Sequence, residues 1–141
     1  MSANAATLSF IDTNIWLYGF IESDQGDKSR RARDLIVNSQ PVISVQIINE
    51  VCVNLIKKAG FSESKISQLI TSFFENYQVI ELEQETLMTA SELRLRYAVS
   101  FWDSLVIASA LQAQVSVLYS EDLQHEQVIE DRLKIINPFV N

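Results

Sequence analysis

Leu8-Ser9-Phe10-Ile11-Asp12-Thr13-Asn14 is the stretch on which the fold turns. A short apolar run with no polar face reads as a strand covered on both sides, as in a parallel sheet, and the acid that follows it sits where such a strand ends. Val115-Ser116-Val117-Leu118-Tyr119 has the same character and is again followed closely by acids, in Ser120-Glu121-Asp122. Further strands are expected at 42–45, 78–82 and 133–136. Helical periodicity fills the intervals at about 15–21, 27–38, 46–59, 62–76, 84–97 and 103–114. Strands alternating with helices predict an α/β fold, a three-layer α/β/α sandwich around a mainly parallel sheet of about five strands.

The chain has 141 residues, enough for one domain with its own core, so a single domain over 1–141 with an ordered core of about 7–139 is expected. Hydrophobic residues make up 48% and charged residues 21%, with three Gly and two Pro, which excludes a disordered or low-complexity chain. The formal charge of −7 means that a nucleic-acid partner must be met by a local basic patch or through bound cations. With Cys52 and His125 as the sole residues of their kinds, neither an internal disulfide nor a Cys/His zinc site can form. Those features, with no apolar run long enough to span a bilayer and no signal-like leader, predict a cytoplasmic protein without a membrane segment.

Four acids stand apart from the solvated ones. Right-handed crossovers bring the carboxyl ends of all parallel strands to one edge, where open α/β sheets bind ligands. Asp12 and Asp122 therefore share a rim although they are far apart in sequence. Glu50 falls about one turn into the helix after the second strand, on a stripe with Gln46, Asn54 and Lys57, and Asp103 is read as the first residue and cap of a helix apolar nearly all round. Each Asp alone is equally well an N-cap, and Glu50 alone a solvated residue. Capping, however, does not require strand-end acids to share an edge with a Glu on a neighbouring helix. Like charges about 4 Å apart repel by about 4 kcal/mol at an effective dielectric near 20, so such a cluster calls for cations. Carboxylate oxygens without Cys or His select Mg²⁺ or Mn²⁺.

Asp12-Thr13-Asn14, Ile48-Asn49-Glu50-Val51, Phe101-Trp102-Asp103-Ser104-Leu105 and Ser120-Glu121-Asp122, with Asn137-Pro138-Phe139 closing the last strand, resemble the PIN-domain family over residues 8–139. Within it the nearest likeness is to the small VapC-type toxins of bacterial toxin–antitoxin pairs. The resemblance implies a Mg²⁺- or Mn²⁺-dependent ribonuclease in which Asp12, Glu50, Asp103 and Asp122 are the catalytic, metal-site acids. Thr13, Asn14 and Ser120 become supporting residues that orient them. It also implies a homodimer and a cognate antitoxin that inserts into the acidic groove. Relatives often have Gly near the positions of Glu126 and Asp131, a departure that bears on the final turn and leaves the acids intact.

The expected reaction is hydrolysis of an RNA phosphodiester, in which water activated by one or two ions attacks in line and leaves a 5′-phosphate. Asp12, Asp103 and Glu50 would hold the ion or ions, with Asp122 completing the second position. Attack by the ribose 2′-hydroxyl would need a second histidine, and His125 reads as a surface residue. Lys28, Arg30, Arg31 and Arg33, with Lys57 and Lys58, are candidate phosphate contacts, against the plainer reading of solvated helix faces. Trp16, Tyr18 and Trp102 could stack on unpaired bases, but their place in apolar runs favours core packing. Two alternatives are a Mg²⁺-dependent phosphatase with Asp12 as nucleophile and a non-catalytic PIN-like binding or regulatory module. Asn14 occupies the place where a haloacid-dehalogenase-type phosphatase needs its second acid, and Lys134 lies inside a strand rather than after one, as a receiver domain would require. A module that had lost catalysis would be expected to lack one of the four acids, and all are present.

Overall fold

The computed structural model of the chain describes residues 7–21 and 26–140. Its elements are β1 (Leu8–Ile11), α1 (Thr13–Phe20), α2 (Gly26–Asn38), β2 (Gln40–Ser44), α3 (Val45–Ala59), α4 (Glu63–Asn76), β3 (Gln78–Ile80), α5 (Gln84–Arg96), α6 (Phe101–Gln112), β4 (Val117–Tyr119), β5 (Val128–Ile129) and β6 (Leu133–Ile136). The sheet runs β3-β2-β1-β4-β6-β5, parallel except for β5 against β6. Phe10, Ile11, Val42, Ile43 and Leu118 are fully buried, as strands covered on both faces must be. From β1 the chain steps through β2 to β3 by way of α1–α4, then returns past β1 to β4 by way of α5 and α6. Right-handed crossovers in opposite directions put the two helix sets on opposite faces, giving three α/β/α layers. Accordingly α1 packs on α2 and α3, and α5 packs on α6.

The strand order reverses between β1 and β4, paired in register as Phe10 with Leu118 and Ile11 with Tyr119. A crevice opens beyond the carboxyl ends of strands at such a switch point. The residues that enter it follow directly: Asp12 from β1 and Ser120 to Asp122 from β4.

Two expectations are corrected. The sheet has six strands rather than about five, because Val128–Ile129, a pair set among Glu126, Glu130 and Asp131, pairs antiparallel with β6 and buries Ile129 completely. Asp103 is also not the first residue of its helix. Ser100 is the N-cap, its Oγ accepting the Asp103 N–H at 3.1 Å, so α6 starts at Phe101 and Asp103 lies within the first turn. The hydroxyl reaches the third N–H of the helix and competes successfully with the downstream carboxylate for the capping role.

Candidate metal centre

Asp12 is rooted at the end of β1. Its backbone N–H continues the ladder to the Tyr119 carbonyl at 2.9 Å, and its side chain caps α1, with Oδ1 accepting the Thr13 N–H at 2.8 Å. Its other oxygen, Oδ2, accepts the hydroxyl of fully buried Ser120 at 2.9 Å. The residue is only 8% exposed. Burial pushes the carboxyl up from the usual 3.8 to about 6. The Thr13 N–H and the Ser120 hydroxyl pull it back down, and the negative charges of Asp103 and Asp122 add to the rise. The predicted cap is therefore present, on a residue that also faces the charges of Asp103 and Asp122.

The other acids surround it. Glu50, in the second turn of α3, accepts the Thr13 hydroxyl into Oε2 at 2.6 Å and Gln46 Nε2 into Oε1 at 3.3 Å, which realises the stripe expected on that helix. Asn54, a turn further on, donates to the Glu50 carbonyl at 2.8 Å. Across the crevice Asn14 Nδ2 donates to Asp122 Oδ2 at 2.9 Å. Ser120 Oγ, besides donating to Asp12, accepts the N–H groups of Asp122 and Leu123 at 3.3 and 3.4 Å, fixing the turn after β4. Asp12, Thr13, Asn14, Glu50, Asp103 and Asp122 together line one cleft of about 220 Å³. Ser120 acts from beneath it. Asp103 and Asp122 also wall a neighbouring polar depression of about 390 Å³ that includes Gln124 and Gln127.

The donor set is all oxygen, from carboxylates, hydroxyls and amides, which suits Mg²⁺ or Mn²⁺. Among the described residues no three His, Cys, Asp or Glu side chains stand close enough to hold an ion jointly. Mg²⁺ keeps several of its waters and is typically bound through one or two carboxylates, so a cleft ringed by acids fits it without three direct ligands.

The candidate basic contacts Lys28, Arg30, Arg31 and Lys57 are not among the residues that line the cleft. Lys28 pairs with Glu121, which also accepts the Tyr18 hydroxyl, and its ammonium sits over the rings of Tyr18 and Phe139. Arg30 and Arg31 both pair with Asp27, and Arg31 also donates to the Phe139 carbonyl. Lys57 is exposed in the last turn of α3. His125 lies at the surface as expected and takes the Asn137 N–H on Nδ1 at 2.9 Å.

Two cleft residues were not expected there. Asn54 was visible on the Glu50 stripe but carried no role. Trp102, expected in the core, is 64% exposed and lines the cleft, unlike Trp16, which is 1% exposed and donates Nε1–H to the Ile11 carbonyl. The hydroxyl of Ser100 was the signal that would have found it, because a cap there places Trp102 in the first turn and away from the packed body of α6.

The family model of the PIN domain matches residues 9–130, the span that carries every one of these cleft residues. The chain belongs to the PIN-domain family. Solved structures share its fold, among them the following three. A toxin–antitoxin complex from Klebsiella pneumoniae is 20% identical, with a TM-score of 0.69 over 93% of this chain and 98% of that one. Mycobacterium tuberculosis VapC20, described as a sarcin-ricin loop cleaving toxin, is 16% identical, with a TM-score of 0.65 over 78% of this chain and 86% of that one. VapBC2 from Rickettsia felis, bound to a fragment of its promoter DNA, is 16% identical, with a TM-score of 0.63 over 91% of this chain and 96% of that one. No curated protein sequence matches the chain. No helix among the described residues is long and apolar enough to cross a membrane.

Proposed function

We propose that this PIN-domain chain is a Mg²⁺- or Mn²⁺-dependent endoribonuclease and the toxin of a type II toxin–antitoxin pair, working in the cytoplasm as a homodimer. The observation that carries the reading is the buried carboxyl of Asp12 at the switch point of the sheet, with Glu50, Asp103 and Asp122 around the same cleft. An ion bound there supplies a more acidic water and offsets negative charge on the scissile phosphate.

The chain's own groups supply position. Thr13 N–H and Ser120 Oγ hold Asp12 facing the cleft, the Thr13 hydroxyl and Gln46 orient Glu50, and Asn14 holds Asp122 opposite. Asp12, Glu50 and Asp103 are the proposed acids of the ion site, one or two of them binding an ion directly and the rest acting through its waters, with Asp122 completing the set or orienting the attacking water. Water adds to phosphorus, the P–O3′ bond breaks, and the 3′-oxygen leaves with a proton, giving a 5′-phosphate on one fragment and a 3′-hydroxyl on the other.

Structural relatives described as toxin–antitoxin complexes support a cognate antitoxin, and the toxin described as cleaving the sarcin-ricin loop supports RNA as substrate. Incubation with total bacterial RNA and Mg²⁺ or Mn²⁺, followed by mapping of new 5′-phosphate ends, tests the reading. Discrete ends that vanish with EDTA and with Asp103→Asn are expected. Ends that persist in Asp103→Asn would refute the role of the cleft. No ends from a folded, metal-binding protein would favour the phosphatase or the binding module.

A further inference from the structure

Phe101 and Trp102 break the pattern of their own helix. From Ser104 to Leu111 α6 is buried on every side, whereas Phe101 is 54% and Trp102 64% exposed. The Ser100 cap fixes the first turn, so Trp102 directly precedes Asp103 and lines the cleft shared by the four acids. Its neighbours hold it in place. Phe101 meets the Trp102 ring edge-on, with centroids 5.4 Å apart and planes at 76°. The Arg94 guanidinium covers Phe101 at 4.3 Å from the ring centroid, and Arg94 Nη1 donates to the hydroxyl of fully buried Ser104 at 2.7 Å. That bond ties the Arg94, Phe101 and Trp102 stack to the buried part of α6. An exposed indole braced in this way is a preorganised flat surface at the mouth of an acidic cleft.

Chemistry selects the occupant. A phosphate drawn to cations in the cleft carries its ribose and base with it, and a neutral nucleobase offers a π-face to an indole whatever its sequence. A base inside a duplex is already stacked on both sides, so only an unpaired nucleotide can make this contact. We propose that Trp102 stacks on an unpaired base flanking the scissile phosphate and so holds that phosphate at the cleft. The inference rests on the ribonuclease reading above and deepens it by naming a residue beyond the acids that positions the substrate.

The test uses the full chain and an RNA carrying a mapped cleavage site, either as a single strand or annealed to its complement. The variants are Trp102→Ala and Trp102→Phe. Because the side chain is exposed, both should melt with the wild type. Trp102→Ala is expected to lower kcat/KM on the single strand by about tenfold, within the range of about 5-fold to about 150-fold that loss of one base–aromatic stack brings. Trp102→Phe should recover most of it, and the annealed site should resist the wild type. Equal cleavage by Trp102→Ala and wild type, or cutting of the duplex as fast as the single strand, would overturn the proposal while leaving the ribonuclease standing. Intact cleavage by Trp102→Ala together with lost self-association or antitoxin binding would overturn it in favour of a protein contact. A wild type that cuts no RNA would remove the ribonuclease reading itself, and this inference with it.

Discussion

Asp12 and Asp122 follow the two strands that pair at the centre of the sheet, yet their surroundings are opposite. Asp12 is buried, takes hydrogen bonds on both oxygens and holds its proton to about pH 6. Asp122 is exposed and is steadied on one oxygen by Asn14. The difference teaches how one cleft can be both rigid and adaptable. A buried root costs stability when ionised and fixes where charge is needed, while a rim acid in water costs little and can move to meet an ion.

The largest expected effect comes from removing the root. Asp12→Asn should lower RNA cleavage by at least a hundredfold and yet raise the melting temperature of the metal-free protein near neutral pH, because a buried charge is replaced by an isosteric neutral amide. Asp122→Asn should shift that melting temperature little. Equal stability changes at the two positions would erase the contrast.

The pH dependence follows next. Asp12 binds its proton more tightly in the folded chain, at about 6, than in the unfolded chain, near 3.8. Its contribution to stability is therefore fully present below about pH 4 and is lost as pH rises through 6, a change of roughly 3 kcal/mol in metal-free protein. Saturating Mg²⁺ should flatten that slope, because a cation favours the ionised form. Denaturant unfolding between pH 4 and pH 7.5, for wild type and Asp12→Asn, checks both statements.

Ser120→Ala sharpens the comparison from beneath. It removes a hydrogen bond that steadies the Asp12 carboxylate and should reduce cleavage about tenfold, the usual cost of losing a group that orients a metal ligand. It should also push the Asp12 carboxyl further up, which ¹³C NMR of that carboxyl would report.

The smallest effect lies around the edge strand β5, at residues that do not line the cleft. Glu126, Glu130 and Asp131 all have left-handed backbones, with φ of 69°, 52° and 56°. Glycine adopts that conformation freely, and relatives were expected to have Gly near two of these positions, so the turn keeps its shape at a cost in strain. Glu126→Gly should stabilise the protein by about 0.5–1 kcal/mol without altering cleavage, as thermal melting and the RNA assay would show.

Most of the frame was legible because it rests on short-range signals. The residues of β1 and β6 were bounded as the structure has them, and the parallel sheet followed from strands apolar on both faces. The cleft acids were legible through topology, since β1 and β4 need only be neighbours for Asp12 and Asp122 to meet. What escaped depended on partners distant in sequence or on competition between neighbours. The pairing of Lys28 with Glu121 spans most of the chain, and no local pattern announces it. The second strand partner of β6 is two residues long and flanked by acids, too brief for any period to register. Trp102 was hidden because the body of α6 is apolar all round, leaving no polar face to show which end emerges.

The central claim is that Asp12, Glu50, Asp103 and Asp122 form one cation site. Calorimetric titration of Mn²⁺ into the purified chain and into Asp12→Asn, Glu50→Gln, Asp103→Asn, Asp122→Asn and the control Glu126→Gln, which lies outside the cleft, addresses it directly. The account predicts saturable binding that is weakened by each of the four cleft substitutions and unchanged in the control. Binding of equal strength in all six proteins, or none in the folded wild type, would contradict it.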